Sequence, residues 1–436
     1  MWVLGLAFLV DALDQNVVRG IVPQLKAAFH VGDLGIGVVM SAFVLVNGIV
    51  TLPAGYLADR WVRTRAVWLT IALWSVASAA GSLAPTFGIL VVLRGTLGFG
   101  QAVTDPSSSS LLPDYYGRER RGRAFSVQQS LTFVGTGIGV LVGGIVGPRL
   151  GWRPALVVVS VPGLVVAAMA WRLREPVRGA ADRVATGDAA AIRYVDRHAP
   201  RPRLFAEGVG RFTRDLVAGL RADVATLVAI RTMRYALAGV ASLLFVVTAV
   251  GSWMTEFYIR NLGLTQARAS AAFLVLVVVG GIPGVIAGGR VADRYVDRIT
   301  GARVVIPGVA LLCSTTFFIV SMARLPVAAC LAVQVLGFFA ATVAIPSMRA
   351  GLADAVPSTL RGTGFGAFNL ASVLFGTAAA PVVTSFVSER LGGDLRSAFL
   401  VVMPVAYVGA FLLLAARRHL EADTGRLVAR VVAAQG

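Results

Sequence analysis

The chain has 436 residues, of which 57% are hydrophobic and only 14% charged, and its formal net charge is +18. Soluble globular chains carry about 25% charged residues, so too little polar surface is available to clothe a water-soluble body of this size. The positive charge does not point to nucleic acid either: Lys26 is the sole lysine, and the arginines fall between apolar runs, where membrane topology accounts for them. The runs approach the roughly 20 residues that span a bilayer as a helix. They are too long and too continuously apolar for the alternating strands of a β-barrel.

The first run predicts a helix over 1–22. No basic residue precedes it, and it carries Asp11 and Asp14 one turn apart, so it reads as a retained span and not as a cleaved signal peptide. Arg19, near its far end, is read as snorkelling to the outer face, with the holding of an anionic head group as the lesser alternative. Helices follow at 34–57, 66–84 and 87–110. The second contains Pro53 and ends in the segment "GYLADRWVRTR", from Gly55 to Arg65. The fourth places Arg94 at depth, with Gln101 two turns on and Asp105 one turn further, all on one face. Gly95, Gly98 and Gly100 let that face pack tightly or line a cavity. Asp105 precedes Pro106 and a serine run, which suggests a helix end with access to water. Helices at 124–147, bearing Gln128 and Gln129, and at 153–172 complete a first group of six.

A polar middle follows. From about 175 to 202 it is rich in Arg, Asp, Ala and Pro and reads as a linker that buries no core. From 204 to 230, Phe205, Val209, Phe212, Leu216, Leu220, Val224 and Leu227 recur at helical spacing. That pattern fits an amphipathic helix on the inner membrane surface, and equally a helix bridging two bundles. Six more helices are predicted at 235–257, 268–291, 303–322, 326–349, 362–387 and 396–416. Glu256 and Arg260 lie near the outer end of the seventh, beside an expected interfacial belt of Trp253, Phe257 and Tyr258. Asn369 sits in the eleventh, and Pro283, Pro346 and Pro381 imply kinks or hinges within helices. The expected domains are therefore a six-helix bundle over 1–172, a cytoplasmic segment over 173–234, a second bundle over 235–417 and a tail over 418–436.

With the N-terminus inside, 30 Arg and Lys residues fall in cytoplasmic segments and 8 in outer ones, leaving Arg19 and Arg94 in the membrane. The positive-inside rule then places both termini in the cytoplasm, and the expected location is the plasma membrane (a cell inner membrane). The segment after the second helix is nearly repeated after the eighth as "GRVADRYVDRI", Gly289 to Ile299. Gly55, Asp59 and Arg60 correspond to Gly289, Asp293 and Arg294. The chain is thus two halves of corresponding architecture, as in many transporters, whose substrate sites lie where the halves meet. For Asp59 and Asp293 a gate-stabilising role is expected, and for Arg63, Arg65 and Arg298 a topological one. This G-x-x-x-D-R block resembles the loop signature of the major facilitator superfamily, which implies an all-α membrane fold of about twelve helices in two six-helix bundles, working by alternating access. "DALDQ", "GDLGIG", "LRGTLGFGQA" and "WRLREPVRGA" resemble the Spinster family, which is associated with export of lysophospholipids and sphingolipids and, in bacterial relatives, with proton coupling. Two departures stand out. Gln101 occupies the place of that family's helix-four Glu, and Gln15 that of the Arg after Asp14.

An ionisable group at bilayer depth costs about 2.5–3.5 kcal/mol on insertion scales, so each is a functional candidate. Asp14 is expected to carry the proton, with Asp11 or Asp105 as a second group; a carboxylate alternating between water and Arg94 can load and release one. Arg94, Gln101, Gln128 and Asn369 are candidates for substrate contact. The same residues also admit a static Asp14–Arg94 pair that only holds helices one and four together. The predominantly Val, Leu, Phe, Ala and Gly walls suit an amphiphile. The expected activity is proton-linked transport of lysophospholipid or a related lipid by a monomer, with a multidrug carrier of the same fold as alternative and a membrane lipid sensor behind it. No enzyme, cofactor or metal is expected. Cys313 and Cys330 form no ligand pattern, His30, His198 and His419 belong to no triad, and there is no Walker-type phosphate loop.

Overall fold

A computed structural model of the chain describes residues 2–60, 62–115, 118–176, 210, 213–214, 217–218, 231–295, 301–355, 370 and 372–418. The first half contains α1, running Trp2–Gly20 and resuming as Val22–Phe29, then α2 (Asp33–Arg60), α3 (Arg63–Gly81), α4 (Phe87–Tyr115), α5 (Arg118–Leu150) and α6 (Trp152–Trp171). The second contains α7 (Arg231–Leu262), α8 (Gln266–Val275 through Leu276–Gly281 to Ile282–Tyr295), α9 (Ala302–Ser321) and α10 (Val327–Ala355). It closes with α11, described from 370 and comprising Val373–Thr377 and Ala379–Arg390, and α12, Leu395–Val402 continuing over 405–418. Among the described residues nine of these, α2, α4 to α10 and α12, contain a segment long and apolar enough to cross a membrane. α1 is excluded by its own charges, Asp11, Asp14 and Arg19, and α3 opens on Arg63 and Arg65.

Two helices run well past the ends read from hydropathy. The fourth is predicted to stop at 110 and continues to Tyr115; the fifth is predicted from 124 and starts at Arg118. Hydropathy reports the apolar stretch alone, whereas the backbone ladder runs on through Leu111 to Tyr115 in the fourth helix and already includes Arg118, Glu119, Arg120 and Arg121, good helix formers, in the fifth. Gly151 and Gly263 terminate α5 and α7 with φ of 92° and 67°, a region that only glycine enters freely. Of the amphipathic helix expected over 204–230, only residues 210, 213–214 and 217–218 are described, and they are helical and exposed.

The chain divides into two compact units, Met1–Gly208 with Thr265–Leu274, and Val209–Leu264 with Val275–Gly436. In the first, α1 packs on α5 and α6, α2 on α4, and α3 on α4 and α6. In the second, α7 packs on α11 and α12, α8 on α10, and α9 on α10; Thr316 of α9 also bonds Tyr407 of α12 at 2.9 Å. The pairing of the first unit is therefore repeated six helices later. Two glycine ladders bring helix backbones close together. A Cβ at Gly135, Gly139 or Gly143 of α5 would strike the carbonyls of Leu9, Leu13 or Val17 of α1, and one at Gly280, Gly284 or Gly288 of α8 would strike those of Val335, Phe339 or Val343 of α10. Small residues at one-turn spacing let helix backbones touch where lipid supplies no hydrophobic drive.

Inside the first unit, Leu4, Ala7 and Val10 of α1, Val67, Ile71 and Trp74 of α3, Leu97 and Leu111 of α4 and Val166 of α6 form one apolar core. Outward, large apolar side chains stay exposed at helical spacing, among them Leu69, Leu73 and Val76 of α3 and Val401, Val405 and Val408 of α12. Such stripes mark surfaces that meet lipid. Two of the four prolines expected to kink helices follow π-helical turns. Leu276–Gly281 precedes Pro283, and Val373–Thr377 precedes Pro381, with Ala378 N–H reaching back to Val373 O at 2.8 Å. A wider turn relieves the clash between the proline ring and the carbonyl four residues back. Pro53 and Pro346 lie within unbroken helix.

Candidate functional site

The buried charges of the first unit meet where α1, α3 and α4 converge. Asp14 and Arg94 are each 4% exposed. Arg94 Nη2 donates to the backbone oxygen of Asp14 at 3.2 Å, and its Nη1 lies 3.6 Å from Asp14 Oδ1. Ser78 of α3 donates its hydroxyl to the same Oδ1. The carboxylate is thus held by one hydroxyl and one cation, while Arg94 Nη1 makes no hydrogen bond and retains unused donor capacity.

One turn earlier, Asp11 Oδ2 accepts from Gln15 Nε2 at 2.7 Å and from Gln101 Nε2 of α4 at 2.6 Å. Gln101 Oε1 accepts from Asn47 Nδ2 of α2 at 3.0 Å. Gln101 therefore joins α1 to α2 through α4, donating to an acid on one side and accepting from an amide on the other. Glycines make this possible: Gly98 packs against the backbone of Phe43 and Asn47, and a side chain there would hold α2 and α4 apart.

The structure brings Asp14 to Arg94 and Asp11 to Gln101. Gln128, on α5, is half-buried with its Oε1 unbonded and has no recorded contact with either pair. Asp105 lies on α4, but its side chain is outside the described residues, as is the whole of Asn369. Gly55, Asp59 and Arg60 fall in the last turns of α2 and Gly289, Asp293 and Arg294 in those of α8; of these, the side chains of Asp59, Arg60 and Asp293 lie outside the description, and Arg294 is exposed. Sequence reasoning passed over Ser78 and Asn47. Asn47 is a lone amide in the apolar stretch "VLVNGIV" and could have been found by the cost of burying it; Ser78, in "SVASAAG", gives no such signal.

A second ionic cluster lies where α3 begins. Arg63 is 1% exposed. Its Nη1 donates to Asp114 Oδ2 at 2.5 Å, Nε to Glu175 Oε1 at 2.8 Å and Nη2 to the Pro176 carbonyl at 3.2 Å. Glu175 Oε2 also accepts from Thr64 N–H at 2.8 Å, satisfying a free donor at the start of α3. Burial opposes the Arg63 charge, but the bonds and attraction of Glu175 and Asp114 outweigh it and push the guanidinium above its ordinary value. A residue read as a loop anchor thus ties α3 to α4 and to the segment after α6.

In the second unit Glu256 is buried and accepts from Arg260 Nε at 3.2 Å. The aromatic belt expected beside it is instead core. Trp253, Phe257 and Tyr258 are buried, with Trp253 Nε1 donating to Pro381 O at 3.1 Å and Tyr258 Oη to Gln334 Oε1 at 2.7 Å. Their polar tips find partners inside the unit, so nothing draws them to an interface. Asp394 caps α12, accepting from Arg396 N–H and Ser397 N–H at 3.0 and 3.2 Å. Slight burial works against its charge, but these bonds and that from Asn261 outweigh it and hold the carboxyl below its ordinary value.

Comparison with known proteins agrees with this architecture. A sequence model described as the Major Facilitator Superfamily matches residues 4–379. Protein spinster homolog 1 of Homo sapiens is 25% identical over 430 residues, covering 92% of this chain and 76% of its own length. Protein spinster of Drosophila melanogaster is 24% identical over 320 residues, covering 72% of this chain and 48% of its own. The fold matches a crystal structure of a bacterial homologue of the human lysosomal transporter Spinster, in an inward-facing, unoccupied conformation, with a TM-score of 0.77, 20% identity and 97% of each chain covered.

Proposed function

The chain belongs to the major facilitator superfamily of membrane transporters, and from that premise we propose that it is a proton-coupled carrier of lysophospholipid or a related amphiphilic lipid, working by alternating access as a monomer in the plasma membrane. Both termini are assigned to the cytoplasm by the distribution of arginines. The observation that carries the coupling is the buried Asp14–Arg94 pair. The substrate class follows from the likeness to Spinster proteins and from the apolar character of the helices.

The physical logic is one of charge balance. A buried pair is neutral as a whole, but removing one partner costs about 3–5 kcal/mol, because the other charge is left uncompensated. A proton on Asp14 cancels its charge and strands that of Arg94, whose free Nη1 donor then favours an anion. Proton and anionic substrate therefore need one another, and neither moves cheaply alone. Gln101 cannot titrate, so Asp11 or Asp105 serves as any second proton site. Gln128 and Asn369 are assigned to substrate contact, and Asp59 and Asp293, with Gly55, Arg60, Gly289 and Arg294, to stabilising the closed cytoplasmic side.

Flux into proteoliposomes under an imposed pH gradient tests the reading. Wild-type protein should drive labelled lysophospholipid uphill, and Asp14→Asn should abolish the gradient-driven part. Because Asn leaves Arg94 unpaired, Asp14→Asn/Arg94→Gln provides the control for folding: it should recover thermal stability and remain uncoupled. Unchanged pH dependence in Asp14→Asn removes the proton role. Transport of cationic dyes in place of lysolipid replaces the lipid assignment with a multidrug one.

A further inference from the structure

Arg19 is the second intramembrane cation of α1 and α4, and the Asp14–Arg94 pair does not use it. It is half-buried, and among the described residues it has no hydrogen bond or ion pair. It stands in the last turn of Trp2–Gly20, and beyond a break at Ile21 a second helix, Val22–Phe29, carries the chain on. The outer end has its own ion pair, Lys26 with Asp33.

The faces of α1 show why Arg19 lacks a partner among the described residues. Leu9, Leu13 and Val17 lie against the glycine ladder of α5. Val10 faces Gly163 of α6, and Asp14 faces Ser78 and Arg94. Asp11, Gln15 and Arg19 follow one another at four-residue steps on a third face, where the first two are bonded together. Asp11 is eight residues from Arg19, about 12 Å along the axis, too far to pair with it. Asp14 points away and is already taken. Nothing described on this face therefore balances the charge.

We infer that Arg19 is a head-group site for an anionic amphiphile, binding a phosphate or carboxylate through its planar fork of donors while Gln15 on the same face supplies neutral polar contact. The inference rests on the carrier reading and narrows it: the transported lipid carries net negative charge. Removing Arg19 should not destabilise the protein, since no partner among the described residues is stranded.

The test compares lysophosphatidylglycerol, a net anion, with lysophosphatidylcholine, a neutral zwitterion, for binding to the full-length chain in detergent and for flux in proteoliposomes. Wild type should prefer the anion about tenfold, the worth of one charge-assisted contact. Arg19→Gln should cut that preference severalfold, to what Arg94 alone contributes, lower lysophosphatidylcholine affinity far less, leave the thermal midpoint unchanged and raise KM for the anion; Arg19→Lys should retain more of it. An undiminished preference in Arg19→Gln overturns the inference, as does a lowered midpoint, which would mean an internal partner. Unchanged KM alongside weakened binding also overturns it, because the site would then hold an annular lipid and not the substrate. Equal wild-type binding of both lipids sinks this inference alone, whereas binding of neither takes the lysolipid reading with it.

Discussion

Gln101 shows how much rests on one amide nitrogen. Its Nε2 donates to Asp11 and its Oε1 accepts from Asn47, so it meets Asp11 with a donor and sets no further carboxylate against it. A glutamate there would face Asp11 at hydrogen-bond distance, and two carboxylates so placed share a proton. Gln101→Glu should therefore add a titration step to the pH profile of flux and leave the thermal midpoint close to wild type; superimposable profiles would show that this position has no part in coupling. Asp11, Asp14 and Arg94 stand out in the sequence because charge in an apolar run is costly. Their partners Ser78 and Asn47 are neutral and cheap, and only packing shows which of many small polar residues they are.

Among the helices, the approach of α1 to α5 carries the heaviest constraint. Gly139 sits over the Leu13 carbonyl, one residue from Asp14, and a side chain there forces the helices apart. Gly139→Val should cost about 1–3 kcal/mol through overpacking, lowering the detergent thermal midpoint, and should also weaken coupling by moving Asp14 off Arg94. Flux lost with no change in midpoint would contradict this account. Helix positions were legible from hydropathy, since twenty apolar residues in lipid have no alternative to a helix. Helix ends, the π turns before Pro283 and Pro381 and the inward burial of Trp253 and Tyr258 were not, because each depends on what a neighbouring helix offers.

Over the whole molecule, duplication is the organising fact. The pairing of α1 with α5, α2 with α4 and α3 with α4 recurs as α7 with α11, α8 with α10 and α9 with α10. The repeated G-x-x-x-D-R segments close corresponding helices, α2 and α8. If Asp59 stabilises one conformational state, Asp59→Lys should slow turnover several-fold with expression and substrate affinity preserved, and Asp293→Lys should do the same. Wild-type turnover in both would reduce the segments to anchors of topology.

Composition, the spacing of apolar runs and the repeated signature determined by themselves that this is a duplicated helical membrane protein, because lipid leaves a backbone few choices and a charge within it stands out. Which residues meet was decided by tertiary structure alone. The contact of Asp14 with Ser78, the bridge from Asp11 through Gln101 to Asn47, the burial of Arg63 on two carboxylates and the isolation of Arg19 all depend on the rotation and depth of packed helices. Hydropathy is a property of one helix, whereas those angles are set between helices, by where glycines allow two backbones to touch.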